Sequence, residues 1–395
     1  MSYDRGLKAL NLEETDKLPL FGATFDVRLI ERVHGVRIPE EWPPERRLLE
    51  VYRACDTDLV RYSHYPTRRQ ETLPGDLRTE RAPRLQDSLH GSLQELEPYW
   101  PARDAVDADL WRIAWVGCTL GKSSDEAATN LWVVRRPFDT YEELLRHLAE
   151  YDPRNYDAST VEQLAERFRA SFWWLQDLLG DQAVVEGFFY LHPFTYLLVH
   201  VGWPHLARLA LEDPDVLDRL IQQWCEVIAK YLTAWSNVGI RVLEAHDDIA
   251  TENGPAMSPR WFRERMLPHY ADLWKPLKEK GVKVLFVSDG DVTQLMDGLA
   301  EAGVDGFVIE GDARLPRAAY EAYVHRWAAT KPLFLQPNWT LMREGTVEEA
   351  RDEALWLASL AKRHPGVFHF ASLGGTDRPE MREAFYRTWV ENRGR

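Results

Sequence analysis

The stretch Val284–Gly311, VLFVSDGDVTQLMDGLAEAGVDGFVIEG, constrains the fold more than any other part of the chain. Residues Val282 to Val287 are apolar and rich in β-branched side chains without alternation, the pattern of a strand covered on both faces. Val292 to Ala302 then has helical spacing, and Gly306 to Ile309 reads as a second buried strand. Strand, helix and strand within about thirty residues make a βαβ unit, and such units build parallel sheets. Ligands of these folds bind at the carboxyl ends of the strands, where Asp289 and Glu310 stand. Ser288, Asp289 and Asp291 also have a second reading, as caps of the helix that follows.

About eight apolar runs end in polar or small residues: Leu18 to Ala23, Asp58 to Ser63, Ala183 to Tyr190, Arg241 to Ala245, Val282 to Val287, Gly306 to Ile309, Pro332 to Leu335 and Val367 to Ala371. Amphipathic segments separate the later ones, at Pro214 to Trp235, Pro259 to Lys280, Arg317 to Thr330 and Thr346 to His364. This alternation predicts an α/β chain folded as a (β/α)8 TIM-type barrel, and 395 residues suffice for one decorated barrel. Residues 1–395 are therefore read as a single domain, with an N-terminal extension and, over about 64–180, an irregular insertion with helices. Within it, WRIAWVGCTLGKSSDEAATNLWVVRRPF predicts two strands joined by a loop, a hairpin that covers the site or mediates homodimerisation. GCTLGKSS lacks the first glycine of a phosphate-binding loop and reads as the hairpin's tip.

Composition excludes several classes of function. The net charge of -15, from 63 acidic and 48 basic residues, opposes binding to nucleic acid or to an anionic membrane. No apolar stretch approaches the length of a membrane-spanning helix, and the charged start lacks the apolar core of a signal peptide. Cys55, Cys118 and Cys225 form neither a disulfide framework nor a thiolate zinc motif, so a reducing, cytoplasmic setting is expected. Sixteen tryptophans suit a core with aromatic walls.

The chemistry concentrates where the fourth strand ends, in RVLEAHDDIATENGPAMSPRWF. Glu244, His246, Asp247 and Asp248 are four ionisable groups within five positions, and strand alternation sends Asp247 opposite to the other three. Crowded carboxylates in a partly dry mouth suit proton transfer, and Glu, His and Asp are equally competent metal ligands. Ser258 and Pro259 mark a helix start. The predicted mouth holds Glu244, His246, Asp248, Asp289, Glu310, Gln336, Asn338 and His369, the last with an even alternative as a core histidine.

DDIATENGPAMSPRWFRERMLPHY followed by KGVKVLFVSDGDVTQLMDGLAEAGVDGF resembles the uroporphyrinogen decarboxylase superfamily, which includes methyltransferases acting with corrinoid proteins and coenzyme M. RRPFDTYEELLRH, GTVEEARDEALWLASL and FHFASLGGTDRPEMREAFYRTW resemble further elements in the same order, so the similarity covers most of the chain after about Arg135. HPFTY is similar to a family segment that follows a barrel strand, which implies pocket roles for His192 and Tyr196 beside a reading as packing. The resemblance implies a barrel enzyme, and it also exposes departures. At the family's His-x-Cys zinc motif the chain has Phe286, Val287 and Ser288, and ASLGGTD offers no thiolate on the last strand. Any retained metal, zinc by family precedent, would fall to Glu244, His246 and Asp289. The arginine and aspartate elements of true uroporphyrinogen decarboxylases are absent, although Arg32 and Arg37 lie in the corresponding region.

The leading expectation is therefore methyl transfer from a small methylated or methoxylated substrate to a corrinoid on a partner protein. Asp289, Glu244, His246 and Asp248 would be catalytic, and Gln336 and Asn338 would orient the substrate. Decarboxylation of a porphyrinogen or another carboxylated aromatic, a lyase reaction, is the alternative, and a non-catalytic ligand-binding barrel is the third.

Overall fold

A computed structural model of the chain describes residues 2–22, 27–61, 102–103, 111–113, 116–122, 131–156, 158–190, 192–311, 315–370 and 378–394. Eight parallel strands close into a barrel: β1 Leu20–Gly22, β2 Leu59–Arg61, β3 Val184–Phe189, β4 Val242–His246, β5 Lys283–Ser288, β6 Gly306–Ile309, β7 Leu333–Leu335 and β8 Val367–Phe370. Each pairs with the next in sequence, and β8 returns to β1 through Leu20 opposite His369. All eight lie where the apolar runs predict them, because strands covered on both faces need continuous apolar sequence. Residues 62–101 of the insertion, the loop 123–130 and ASLGGTD lie outside the described residues.

Inside the barrel one apolar side chain from each strand, and two from β5, meet: Phe21, Leu59, Val184, Val242, Leu285 with Val287, Val308, Phe334 and Phe368. Ala9 and Leu10 of the helix Ser2–Leu10 close this layer at the amino-terminal end. Two residues further along the strands the inward positions are Arg61, Glu186, Glu244, Asp289, Glu310 and Gln336. The interior is thus dry at one end and ionised at the other, and strand ends fix which is which.

The intervening helices obey local rules. Ser258 accepts a hydrogen bond from the Trp261 N–H, at 3.1 Å, and Pro259 takes the first helical position. The segment expected as one helix from Pro259 to Lys280 is two, Pro259–Arg265 and Leu267–Glu279. Pro268 has no N–H to give Glu264 and its ring would crowd that carbonyl, so the chain breaks at Met266. The segment after β5 is likewise shorter than its spacing suggests, a 3₁₀ turn Thr293–Leu295 leading into Met296–Glu301. The Asp291 carboxylate accepts from the Thr293 N–H there, as a cap does.

The insertion contains a four-stranded antiparallel sheet, Ala102–Arg103, Trp111–Ile113, Cys118–Lys122 and Leu131–Arg135. Antiparallel strands are present as the pattern predicts, but GCTLGKSS, expected as the hairpin's tip, supplies the strand Cys118–Lys122, which pairs with Trp111–Ile113 on one side and Leu131–Arg135 on the other. None of the described helices is long and apolar enough to cross a membrane.

Candidate functional site

Alternation along β4 places Glu244 and His246 on the inner face, and Asp248 follows just beyond the strand. His246 Nε2 lies 2.9 Å from Asp248 Oδ1. The other Asp248 oxygen accepts from the Tyr190 hydroxyl at 3.0 Å, and Oδ1 also receives the Asp289 N–H at 3.3 Å. The Asp248 N–H is itself held by Thr195 Oγ1 at 2.8 Å. One ligand atom each from His246, Asp248 and Asp289 falls within 4.8 Å of the others.

The electrostatics follow from this geometry. Burial by itself would lower the His246 imidazole, but Asp248, Glu310 and Glu244 raise it on balance. Burial would likewise raise Asp248, and His246, Tyr190 and the Asp289 N–H bring it below the usual carboxylate range. Burial, then Asp248 and Asp289, push the Tyr190 phenol well up, so it remains a donor.

Beneath this cluster lies a second one. Arg61 Nη2 is 2.6 Å from Glu244 Oε1, and Arg61 Nε is 3.8 Å from Glu186 Oε1, with all three side chains buried. One guanidinium between two carboxyl groups leaves a charge uncompensated. Burial and the neighbouring Glu244 therefore push Glu186 well above the ordinary glutamate range, which favours its protonated form. Glu186 and Arg61 are functional candidates that the strand reading passes over. The signal was present as a lone charge inside AVVEGFFY and DLVRYS.

The remaining expected site residues divide. Glu310 and Gln336 follow the inward Val308 and Phe334 by two positions and face the mouth, where Gln336 Oε1 accepts the Gly311 N–H at 2.8 Å. Asn338 is a correction: its carbonyl oxygen accepts from Leu341 N–H at 3.0 Å, capping the helix Trp339–Glu344. His369 is another, because it alternates with the inward Phe368 and packs outside the barrel on Phe385 and Trp389. Burial lowers its imidazole to about 3.

His192 accepts from the Trp274 indole at 3.1 Å and lies among Phe189, Tyr270 and Trp274, so it packs behind β3 and β4. Tyr196 stacks on Trp224 with centroids 4.2 Å apart, again in the outer core. Arg32 pairs with Glu383 on the last helix and Arg37 is exposed, so neither reaches the mouth. Asp247 points outward, as alternation requires. It accepts from the Phe194 and Thr195 N–H groups, the Thr195 hydroxyl and the Tyr270 hydroxyl, which ties the helix Pro193–His200 to the barrel.

The expected metal set is corrected in the same way. Glu244 sits one layer too deep, on Arg61, and Asp248 takes its place beside His246 and Asp289. Phe286 and Ser288 also prove to be the wrong positions to compare with zinc ligands. Phe286 packs outward on Tyr270 and Trp274, while Ser288 Oγ accepts from the Ile249 N–H. The inward residues of β5 are Val287 and, beyond its end, Asp289. All three cysteines are buried away from this cluster, and burial drives their thiols up, Cys55 and Cys118 to about 12. A thiolate zinc site does not fit these residues; one imidazole with two carboxylates does fit a divalent cation that takes oxygen and nitrogen ligands.

Gly290 lets the β5 loop reach this position. It has φ +82°, and a Cβ there would lie 2.6 Å from the Thr251 backbone, whose carbonyl accepts the Asp291 N–H at 2.8 Å. Gly290→Ala is expected to cost about 1–3 kcal/mol and to displace Asp289. Denaturant unfolding, with ion titration as a second readout, checks this.

No curated protein matches the sequence significantly. Among solved structures, a methyltransferase from Methanosarcina mazei superposes with TM-score 0.59 at 15% identity, over 99% of this chain and 98% of that one. A D-psicose 3-epimerase from Clostridium cellulolyticum H10 gives TM-score 0.35 at 10% identity, over 65% and 93% of the respective chains. Residues 145–390 match the model of the family described as uroporphyrinogen decarboxylase (URO-D). That match spans more than half of the chain and includes β3 to β8 with the His246, Asp248 and Asp289 cluster, and the chain belongs to the uroporphyrinogen decarboxylase (URO-D) family.

Proposed function

We propose that this chain is a methyl-transferring enzyme of the family, moving a methyl group from a small methylated or methoxylated substrate to a corrinoid carried by a partner protein. The observation that carries this reading is the convergence of His246, Asp248 and Asp289 at the carboxyl ends of adjacent barrel strands. The shared barrel of the Methanosarcina mazei methyltransferase supports it by analogy. Decarboxylation of a tetrapyrrole with several carboxylates would need cations at the mouth. Among the described inward residues the only permanent cation is Arg61, and it is already bound to Glu244.

A divalent ion on His246, Asp248 and Asp289 would supply Lewis-acid polarisation of the substrate heteroatom. The chain's own residues do the rest. Asp248 holds the His246 ring, and Tyr190 and the Asp289 N–H hold Asp248. As the bond from the methyl carbon to an ether oxygen breaks and the methyl group passes to the acceptor, the electron pair stays on the oxygen, which then needs a proton, whereas a quaternary nitrogen would leave as a neutral amine and need none. Glu186 in its protonated form, with Glu244 beside it, is the store at the floor of the mouth.

The test is elemental analysis of protein purified without added metal or a chelating tag. It is joined to a spectroscopic assay for methylcobalamin, formed from reduced cobalamin with methoxylated and N-methylated donors. A near-stoichiometric divalent ion, lost in Asp289→Asn, is expected. Because His246 must lose its proton to bind, ion affinity should fall about tenfold per pH unit below its raised pKa. A protein that takes up no divalent ion at any pH and methylates no cobalamin would overturn the reading.

A further inference from the structure

The mouth has an imbalance that the ion leaves in place. Five carboxyl groups, Glu186, Glu244, Asp248, Asp289 and Glu310, stand above the dry layer. Arg61 takes up Glu244. Asp248 is matched by His246, and a divalent ion would serve both Asp248 and Asp289. With or without that ion, Glu310 is left over. It is 8% exposed, and Arg61 and His246 act on it only through their charge, with no hydrogen bond or ion pair to it among the described residues. Glu310 thus shares the charges of Arg61 and His246 with Glu244 and Asp248, and this excess of negative charge at the mouth favours a counter-charge from outside the chain.

A second observation points to a ligand at the same place. Gln336 is fully buried on the neighbouring strand end, and its amide oxygen is engaged by the Gly311 N–H while its Nε2 has no partner. An orphaned buried donor is rare in folded proteins and calls for an acceptor. Gln336 and Glu310 are adjacent, since the Gln336 N–H donates to Ile309 O at 3.2 Å. Across the mouth the half-buried Tyr190 ring, 4.3 Å from the His246 ring, adds an aromatic surface of the kind that attracts cations.

We infer that the mouth accepts a positively charged substrate, a small organic ammonium with an oxygen acceptor, whose charge is met by Glu310 and whose oxygen is met by Gln336 Nε2. This rests on the reading of the barrel mouth as the substrate site, and it narrows the methyl donor to a class. Anionic donors are excluded by the same groups.

The experiment is calorimetric titration of the full chain with choline and with 3,3-dimethylbutan-1-ol, its neutral isostere with carbon in place of nitrogen. 3,3-Dimethylbutanoate serves as the anionic comparison. Choline should bind at least ~tenfold more tightly than the alcohol, and E310Q should lose that preference while melting no lower than wild type. Equal binding of choline and the alcohol, a preference for the anion, no binding of choline at millimolar concentration, or an undiminished preference in folded E310Q each overturns the inference. Should E310Q not fold, the wild-type comparison of choline with the alcohol decides alone. Asp289→Asn separates the two readings: loss of the ion with choline preference retained keeps them distinct. Failure of methyl transfer alongside a clear choline preference would remove the proposed reaction and leave the substrate class standing.

Discussion

His246→Gln is expected to abolish the divalent-ion binding proposed for the barrel mouth and to reduce turnover by more than about 10²-fold, because even the outer partners of metal ligands are worth 10–100-fold. His246 is the only imidazole of the cluster and is almost wholly buried, so no neighbouring nitrogen can replace it. Glutamine preserves a hydrogen-bond donor toward Asp248, at 2.9 Å in the native arrangement, and so spares the local packing. Ion stoichiometry and thermal melting measured on the same preparation separate the two roles. A variant that melts like wild type without its ion supports a ligand. A variant that keeps the ion, or one that collapses, assigns the residue to structure.

The second large effect lies at the opposite end of the barrel. Asp58 is fully buried and accepts from Arg5 Nη1 at 2.8 Å, Arg393 Nη2 at 2.5 Å and the Leu20 N–H at 2.8 Å. It joins the first helix, the first two strands and the C-terminal residues in one contact. Asp58→Ala is expected to cost about 3–5 kcal/mol, because two buried guanidinium groups would lose their shared counter-charge. Arg393 also donates to the Leu18 and Cys55 carbonyls, so its position would be strained as well. The midpoint of denaturant unfolding measures the loss. A change below about 1 kcal/mol would show that Asp56, 3.2 Å from Arg5, compensates.

These two residues illustrate how differently function and stability were written in the chain. Asp58 opens an apolar run and looks like a turn residue, and nothing local announces Arg5 and Arg393, which lie 53 and 335 positions away in sequence. His246 stands in a dense polar strand end, where residue type alone marks a candidate site. Asp289 and Glu310 were legible for the same reason, since an apolar strand that stops on an acid marks a barrel rim.

What the sequence determined by itself was the set of eight strands, their polar ends, the capped helix start at Ser258, and the presence of antiparallel strands in the insertion. Each of these rests on apolar continuity or on a side chain bonding its own backbone nearby, and both are local. Only the tertiary structure decided which side of a strand faces inward. In VLFVS both faces are apolar because one lines the barrel and the other meets helices, so a period of two is present without a readable phase. That ambiguity moved Phe286, Ser288 and His369 onto the outer face and brought Val287 and Asp289 inward. Depth was equally invisible: Glu244 and His246 share a direction, but Arg61 on a strand more than 180 residues earlier claims the lower one. The upper one is left to Asp248 and Asp289, because closing the barrel sets β5 against β4.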